Sequence, residues 1–221
     1  FTLTGSIELS GFSIDIGGFV GFESGDFGVE KVAGGEIRIV SNTAAAFLDV
    51  GSFSVGITDA DIIIVLREDG GMAFGTAGGT FTMTGGQFAS ATADSVDIQL
   101  NNTGINYAAS NLTVTVGSIS ATLDIADETQ LVKVTNLEFE MVDYGLTVGG
   151  TFAFQRFGTN EIHAVATGAS ATLVSGDFLV GVSAASLALV VHSNLKTALR
   201  ASGTFVFEGG DFANATAGAV Q

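Results

Sequence analysis

The sequence contains no cysteine, no proline and no tryptophan, and only two of its 221 residues are tyrosine. Without cysteine the chain can form no disulfide bond, no thiolate zinc site and no cysteine nucleophile. Proline removes a backbone donor and is tolerated in sheets only at edges and turns, so its absence is typical of a chain committed to sheet. The same absence removes a common guard against edge-to-edge pairing of strands.

Basic residues are also scarce, with 7 Lys and Arg against 23 Asp and Glu and a net charge of −16. Nucleic-acid-binding surfaces are basic, and an anionic membrane surface would repel this chain, so the charge argues against both partners. No stretch reaches the roughly 18 consecutive apolar residues that a membrane-spanning helix needs. Because 47% of the residues are hydrophobic, we expect a folded chain with a buried core.

Internal similarity is the strongest positive feature of the sequence. Residues 79–96 and 203–220 are identical at eleven of eighteen positions, at an offset of 124. Residues 53–66 match residues 178–191 at an offset of 125, with five identical positions and mostly apolar exchanges elsewhere. Self-similarity at a fixed long period is typical of repeat architectures.

A shorter unit lies inside the long period. A weaker similarity relates residues 16–18 to residues 148–150 at an offset of 132, and a glycine opens each of four half-repeats. These glycines are Gly18, Gly79, Gly150 and Gly203. The spacing indicates about two long repeats, each made of two half-repeats.

Three half-repeats continue with a similar motif, in which large apolar residues flank a short polar segment that contains glycine. The motif occupies residues 22–27, 83–88 and 207–212. Glycine readily supplies the positive φ that a tight turn needs. The motif therefore predicts a β-hairpin at each site, with cross-strand pairs such as Phe207 and Phe212.

Alternation of apolar and polar residues dominates the rest of the chain and predicts roughly 15 strands of ordinary length. Residues 112–116 alternate in this way. After Gly117 and Ser118 the alternation resumes shifted by one residue, so we expect a bulge or bend there. Residues 178–191 are apolar on nearly every side, but their partner contains the β-branched run Ile62–Val65, which disfavours helix. We predict a strand in both copies, covered on both faces.

These patterns predict an all-β protein with an elongated repeat architecture of antiparallel strands, either a β-solenoid or packed β-sheets. A first β-repeat unit is predicted over residues 1–130 and a second, truncated unit over residues 131–221, packed continuously with the first. Since the chain begins and ends inside strand-like patterns, we expect it to be a piece of a longer protein or a processed product.

No catalytic residue and no cofactor site is predicted. His163 and His192 are isolated from any second metal-ligand motif, so we expect both to be exposed strand residues. Carboxylates are the only candidate metal ligands, because Ca²⁺ takes several oxygen ligands from loops. The candidates are Asp59, Asp61, Asp124, Asp127 and Glu128.

The repeat itself argues against this calcium site. The repeat partners of Asp59 and Asp61 are Ala184 and Ser186, so the carboxylates do not recur. We favour the interpretation that these carboxylates form a solvent-exposed acidic surface that keeps the protein soluble.

The GTFxF and GGDF segments, the strands rich in Ala, Ser, Thr and Gly, and the acidic charge resemble repeat regions of large bacterial extracellular proteins, adhesin-like or surface-layer-like. This resemblance implies a structural or adhesive segment at the bacterial cell surface or in a filament, without catalysis. We also expect self-assembly, with other copies of the chain or flanking repeats as partners. The composition and charge argue against nucleic acid and against membrane insertion.

Two other readings stay open at this stage. One is a carbohydrate- or calcium-binding β-sandwich module, although sugar sites usually use the Trp and Tyr side chains that are nearly absent here. The other is an outer-membrane β-barrel, which should carry girdles of the same aromatic residues.

Overall fold

The computed structural model describes residues 3–16, 20–85, 88–209 and 214–220, and within them the chain is all-β. Short 3-10 turns at Tyr107–Ala109 and Val142–Tyr144 are the only helical segments of this part. The strands are β1 (Leu3–Ile16), β2 (Val20–Lys31), β3 (Ile37–Val50), β4 (Phe53–Leu66), β5 (Met72–Ala77), β6 (Thr80–Thr84), β7 (Phe88–Thr92), β8 (Ser95–Asn101), β9 (Leu112–Val116), β10 (Ile119–Leu123), β11 (Thr129–Met141), β12 (Leu146–Phe157), β13 (Glu161–Ser175), β14 (Phe178–His192), β15 (Thr197–Gly209) and β16 (Asn214–Val220).

Fourteen of these strands belong to one sheet, in the order β1-β2-β3-β4-β5-β8-β11-β12-β13-β14-β15-β16. Strand β6 pairs with β4, β7 pairs with β11, and β9 and β10 form a separate two-stranded sheet. Neighbours such as β1 and β2, β4 and β5, and β12 and β13 are antiparallel. The predicted all-β class and antiparallel pairing are therefore confirmed.

The chain divides into two compact units. The first comprises Phe1–Phe47, Gly56–Thr80 and Val96–Val132, and the second comprises Leu48–Val55, Phe81–Ser95 and Lys133–Gln221. The boundary that the repeat suggests, between residues 1–130 and 131–221, stays a prediction.

Strands β9 and β10 form a tight hairpin in the first unit. Val116 lies opposite Ile119, and the two residues between them, Gly117 and Ser118, make the turn. Gly117 has a φ of 62°, as the first central residue of a type II′ turn requires. The expected bulge or bend is thus a full reversal of the chain, because a two-residue turn with glycine at positive φ returns the strand on itself.

The apolar side of this hairpin packs on the sheet of the first unit. Their shared core consists of Val40, Ile63, Val65, Ala73, Tyr107, Val114, Val116, Ala121, Leu123 and Ile125. Strand β4 is consequently buried on both faces over Ile62–Val65, as the sequence predicts.

The same prediction is wrong for β14. Its C-terminal half alternates between buried residues such as Leu187 and exposed residues such as Ala188. The exposed side corresponds to the face that the hairpin covers in the first unit: Val40 is 0% exposed, whereas Val165, 125 residues later, is 56% exposed. Burial of the second face thus depends on the hairpin and not on the strand's own sequence.

Corresponding strands of the two units pair in the same register. Adding 125 to both members of the pair Ile63 and Gly75, on β4 and β5, gives Ala188 and Arg200, which are paired on β14 and β15. The same addition converts the pairs of residues 28–31 with residues 37–40, on β2 and β3, into pairs of β12 and β13, but it does not convert the pairs of residues 21–24. Residues 125 apart in these segments, next to the turns, therefore occupy equivalent places in their sheets.

Two glycines make room for the hairpin. A Cβ on Gly28 would lie 2.5 Å from Cβ of Val116, and one on Gly75 would lie 2.9 Å from Cδ1 of Leu123. Their counterparts 125 residues later are Ala153 and Arg200. In the second unit, where this face of the sheet is solvent-exposed, both positions carry a side chain. In the first unit, where the hairpin approaches the sheet, both positions are glycine.

Two of the three hairpins predicted at the glycine motif do not form. Residues 22–27 run without interruption through β2, which is paired on both sides, so that prediction is wrong. Glycine at position 25 permits a turn but does not impose one. Strands β6 and β7, around the motif at residues 83–88, pair with different partners, so the hairpin predicted there is wrong as well.

The third motif does separate an antiparallel pair, β15 and β16, in which Phe207 lies opposite Ala215. Its expected partner, Phe212, lies outside the described residues, as do residues 17 and 18 of the predicted similarity at an offset of 132.

A row of β-bulges crosses the long strands of the second unit. The register shifts between Gly149 and Phe152 on β12, and corresponding shifts interrupt β13, β14 and β15. Small residues occupy this row: a Cβ on Gly150 would lie 2.7 Å from Cβ of Ala169, and one on Gly203 would lie 2.8 Å from Cβ of Ala185. Bulges accentuate the bend and twist of a strand, so these long strands are bent at one common line.

We expect Gly28→Ala to lower the free energy of unfolding by about 1–3 kcal/mol, because its methyl group would overlap Val116. The reverse change at the counterpart, Ala153→Gly, should cost no more than about 1 kcal/mol, the ordinary penalty of glycine in a strand. Urea unfolding of both variants compares the two costs. Equal costs would show that the glycine is unrelated to the hairpin.

Tyr107 provides a second test of this core. Its side chain is buried, and among the described residues its hydroxyl has no hydrogen-bond partner. Since an unsatisfied buried hydroxyl keeps its full desolvation cost, Tyr107→Phe should raise the free energy of unfolding by about 1 kcal/mol. The exposed Tyr144 supplies the control, because Tyr144→Phe should change nothing. A destabilised Tyr107→Phe protein would mean that the hydroxyl is satisfied in solution.

Candidate functional site

Two hairpin turns of the first unit have the same hydrogen-bond pattern. The N–H of Val32 donates to the carbonyl of Glu36 (3.0 Å), and the N–H of Arg67 donates to the carbonyl of Gly71 (2.9 Å). A glycine with a φ of 84° occupies the fourth position of each turn, at Gly35 and Gly70. These turns bring polar side chains from the ends of β2, β3 and β4 together.

An ion-pair network, the arginine cluster, lies at these turns. It consists of Glu30, Glu36, Arg38, Arg67 and Asp69. Arg38 Nε lies 2.6 Å from Glu36 Oε1, and Arg38 Nη1 lies 3.2 Å from Glu30 Oε1. Arg67 approaches the other Glu36 oxygen at 3.9 Å and Asp69 at 3.3 Å. One carboxylate thus bridges two guanidinium groups from neighbouring strands.

A depression of about 440 Å³ lies over the arginine cluster, lined by the turn residues and by Glu36, Arg38, Arg67 and Asp69. The N–H of Gly71 donates to Asp69 Oδ1 at 2.9 Å. This hydrogen bond, helped by Arg67, holds the pKa of Asp69 below its usual range. The cations of the depression are therefore already paired with carboxylates of the same cluster.

The second unit contains an equivalent arrangement, the histidine cluster, made of Glu161, His163 and His192. His163 Nε2 lies 2.8 Å from Glu161 Oε2, and His192 Nε2 lies 3.5 Å from Glu161 Oε1. The Phe157 ring stacks on His163, with centroids 4.8 Å apart and planes 15° from parallel. Again one carboxylate bridges two basic side chains from neighbouring strands.

Each member of the histidine cluster lies 125 residues after a member of the arginine cluster. Glu161 follows Glu36, His163 follows Arg38 and His192 follows Arg67.

The turn beside the histidine cluster repeats the pattern as well. The N–H of His192 donates to the carbonyl of Lys196, and the Lys196 N–H donates to Asn194 Oδ1 at 3.1 Å. Asn194 thereby replaces Asp69, and Leu195, with a φ of 64°, replaces Gly70.

The two clusters differ in their proton chemistry. A guanidinium stays charged throughout the physiological range, whereas an imidazole is charged only when protonated. The opposing residue changes in parallel, because Glu30, paired with Arg38, is replaced by Gln155, paired with His163. The arginine cluster is thus a permanent ion-pair network, and the histidine cluster becomes one only on protonation.

Both histidines are partly exposed strand residues, as the sequence predicts, but they are not isolated from each other. The signal that sequence reasoning missed was already present in the offset of 125. Applying it to residues 36, 38 and 67 aligns one Glu and two basic residues in both copies.

The structure gives the predicted carboxylates on β4 other roles. Asp61 accepts a hydrogen bond from Asn42 Nδ2, and the same amide group donates to the carbonyl of Ser120 at 3.1 Å. Asn42 thereby ties the hairpin to the sheet. Asp59 has a φ of 53°, matched by Ala184 at 47° in the second unit. Asp59 therefore occupies a backbone conformation that recurs without a carboxylate.

The other candidates lie in the loop after β10. Asp127 Oδ1 accepts a hydrogen bond from the N–H of Gly104 at 2.9 Å, Asp124 is exposed, and Glu128 has a φ of 57°. In the part of the chain that the structure describes, no group of three or more His, Asp or Glu residues is placed to hold a metal ion. The calcium role of these five carboxylates stays a prediction.

Comparisons of the chain with known proteins give no matching family model, no matching curated protein and no matching solved structure. Within the described ranges, neither helical segment has the length and hydrophobicity that crossing a membrane requires.

The two clusters should respond differently to pH. In double-mutant cycles, we expect Arg38 and Glu36 to couple by about 0.2–1 kcal/mol at both pH 5 and pH 8. His163 and Glu161 should couple at pH 5 and lose the coupling at pH 8, because an imidazole forms an ion pair with a carboxylate only when it is protonated. Urea unfolding of the single and double variants measures both coupling energies. The variants are Arg38→Ala with Glu36→Gln and His163→Ala with Glu161→Gln.

Replacing both His163 and His192 by arginine should restore the coupling to Glu161 at pH 8. A coupling between His163 and Glu161 that is unchanged from pH 5 to pH 8 would contradict the ion-pair interpretation.

Proposed function

We propose that this chain is a structural or adhesive, non-catalytic segment of an extracellular bacterial surface protein or filament, built from β-repeats that stack on one another. One observation carries the proposal: the same strand registers and the same turn hydrogen bonds occur twice, 125 residues apart. In repeat proteins, each unit is stabilised largely by its neighbours, so a pairing geometry that recurs is what stacking requires.

The variation between the copies also supports a structural role. The positions that differ, such as Gly75 and Arg200, follow whether the sheet face is covered or exposed. Arg38 and His163 each contact a carboxylate of their own cluster. Exchanges of this kind adjust packing and solubility and leave the backbone frame unchanged.

The finer architecture belongs to the same proposal. Consecutive strands such as β12, β13, β14 and β15 pair antiparallel along the sheet, which favours packed sheets over a solenoid. The acidic surface keeps such an assembly soluble outside the cell. Its partners are other copies of the chain or flanking repeats.

Negative-stain electron microscopy of the native protein at neutral pH without detergent tests this function. We expect rods or filaments with a regular axial repeat, because the repeated sheets stack end to end. Compact, separate particles at every concentration would contradict the structural assignment.

A further inference from the structure

The large sheet has β1 at one end of its strand order and β16 at the other. Among the described strands, β1 pairs only with β2, and β16 pairs only with β15. Within that part of the chain, each therefore has one edge with no strand beside its main-chain N–H and C=O groups. Proline and lysine, which commonly protect such edges, are absent from both strands.

Strand β1 is the counterpart of β11. In the strand order β1 lies beside β2 and β11 lies beside β12, and β2 and β12 pair alike next to their turns. An offset of 125 aligns the ends of the two strands, Ile16 and Met141. It also aligns Gly11, in the register shift of β1, with Asn136, which has a φ of 51°. The aligned apolar pairs are Ile7 and Val132, Leu9 and Val134, Phe12 and Leu137, and Ile14 and Phe139.

Strand β16 overlaps the counterpart of β7. The repeat at an offset of 124 aligns residues 214–216 with residues 90–92. Strand β7 pairs antiparallel with β11, and in that pair Thr92 lies opposite Glu138 and Ala91 lies opposite Phe139. The pairing of β7 with β11 thus joins the counterparts of β16 and β1.

We propose that β16 of one copy of this chain pairs antiparallel with β1 of a second copy. The proposal rests on the proposed function and names the strands through which copies join. A second copy is the partner because it presents β1, the counterpart of the strand that pairs with β7. Among the described strands neither edge is already occupied, so each copy offers both halves of the contact.

The internal pairing also defines the register of the contact. Transferred by their offsets, the pairs of β11 and β7 place Ser13 opposite Thr216 and Ile14 opposite Ala215. Successive residues of a strand point to opposite faces of the sheet, so a slip of one residue would exchange the two faces. The proposal therefore specifies which residues of two copies face each other.

The contact joins unlike edges and is therefore heterologous. Two copies joined in this way leave β1 unpaired at one end and β16 unpaired at the other, so the same contact can be made again. Heterologous contacts build open filaments unless the rotation between copies closes a ring. Main-chain hydrogen bonds would thus extend the sheet from copy to copy.

Disulfide cross-linking of the full chain tests this register, because the chain has no cysteine of its own. Opposite Cα atoms in an antiparallel pair lie about 4.5–5.5 Å apart, which a disulfide can span. Oxidation of a mixture of Ser13→Cys and Thr216→Cys proteins should therefore give a disulfide-linked dimer on a non-reducing gel. Salt of about 0.5 M screens the repulsion between copies that each carry a net charge of −16.

The matched control is a mixture of Ser13→Cys and Ala215→Cys proteins, which is out of register by one residue and should give no dimer. Each variant oxidised alone should give none either. Ile14→Cys mixed with Ala215→Cys is a second pair in register and should be linked. Glu138→Cys combined with Thr92→Cys should form the equivalent link within one chain. Circular dichroism checks that every variant is folded.

If the native protein assembles and the internal pair is linked, but neither mixture in register gives a dimer, copies join elsewhere. That result overturns the edge pairing, although the structural function stands. Dimers of Ser13→Cys alone would show that like edges pair, which also overturns it. So would a link within one chain that carries both Ser13→Cys and Thr216→Cys. Monomers at every concentration in sedimentation velocity would contradict both the edge pairing and the structural function.

Discussion

The hydrogen-bond ladder between antiparallel neighbours decides which residues stand opposite each other in this protein. Because β2 and β3 pair next to their turn as β12 and β13 do, and β4 and β5 as β14 and β15 do, residues 125 apart in these segments occupy equivalent places. The ladder uses only main-chain atoms, so side chains can differ between copies while the frame stays the same. The bulges at Gly150 and Gly203 shift the register of the long strands, and bulges of this kind bend a strand.

Within this common frame, single exchanges produce different chemistry. A carboxylate on one strand bridges two basic side chains in both units, and only the identity of the bases separates a permanent network from one that needs protons. The hairpin has a comparable effect on burial. It turns Val40 into a core residue, while the identical residue at position 165 is left in contact with water.

The strand content and antiparallel pairing could be predicted from alternation and from the β-branched run Ile62–Val65, because both patterns are local. The burial of β14 could not, since coverage of its second face depends on a distant segment and not on its own residues. The hairpin prediction at residues 22–27 was wrong for another reason. Glycine allows a turn, but pairing with strands on both sides keeps this segment extended. The histidine cluster was accessible in principle, because the offset of 125 already aligns His163 with Arg38.

The glycines beneath the hairpin have a consequence for reading related sequences. A strand position that must stay empty for a neighbour leaves a mark in the sequence, and that mark is independent of the neighbour's own residues. In any further stretch with this spacing, glycine at the places of Gly28 and Gly75 would signal a sheet covered by a hairpin, and residues with a side chain a sheet open to solvent. The residues at these two positions of each repeat would then identify which sheets of a much longer chain are covered by a hairpin and which are exposed to solvent.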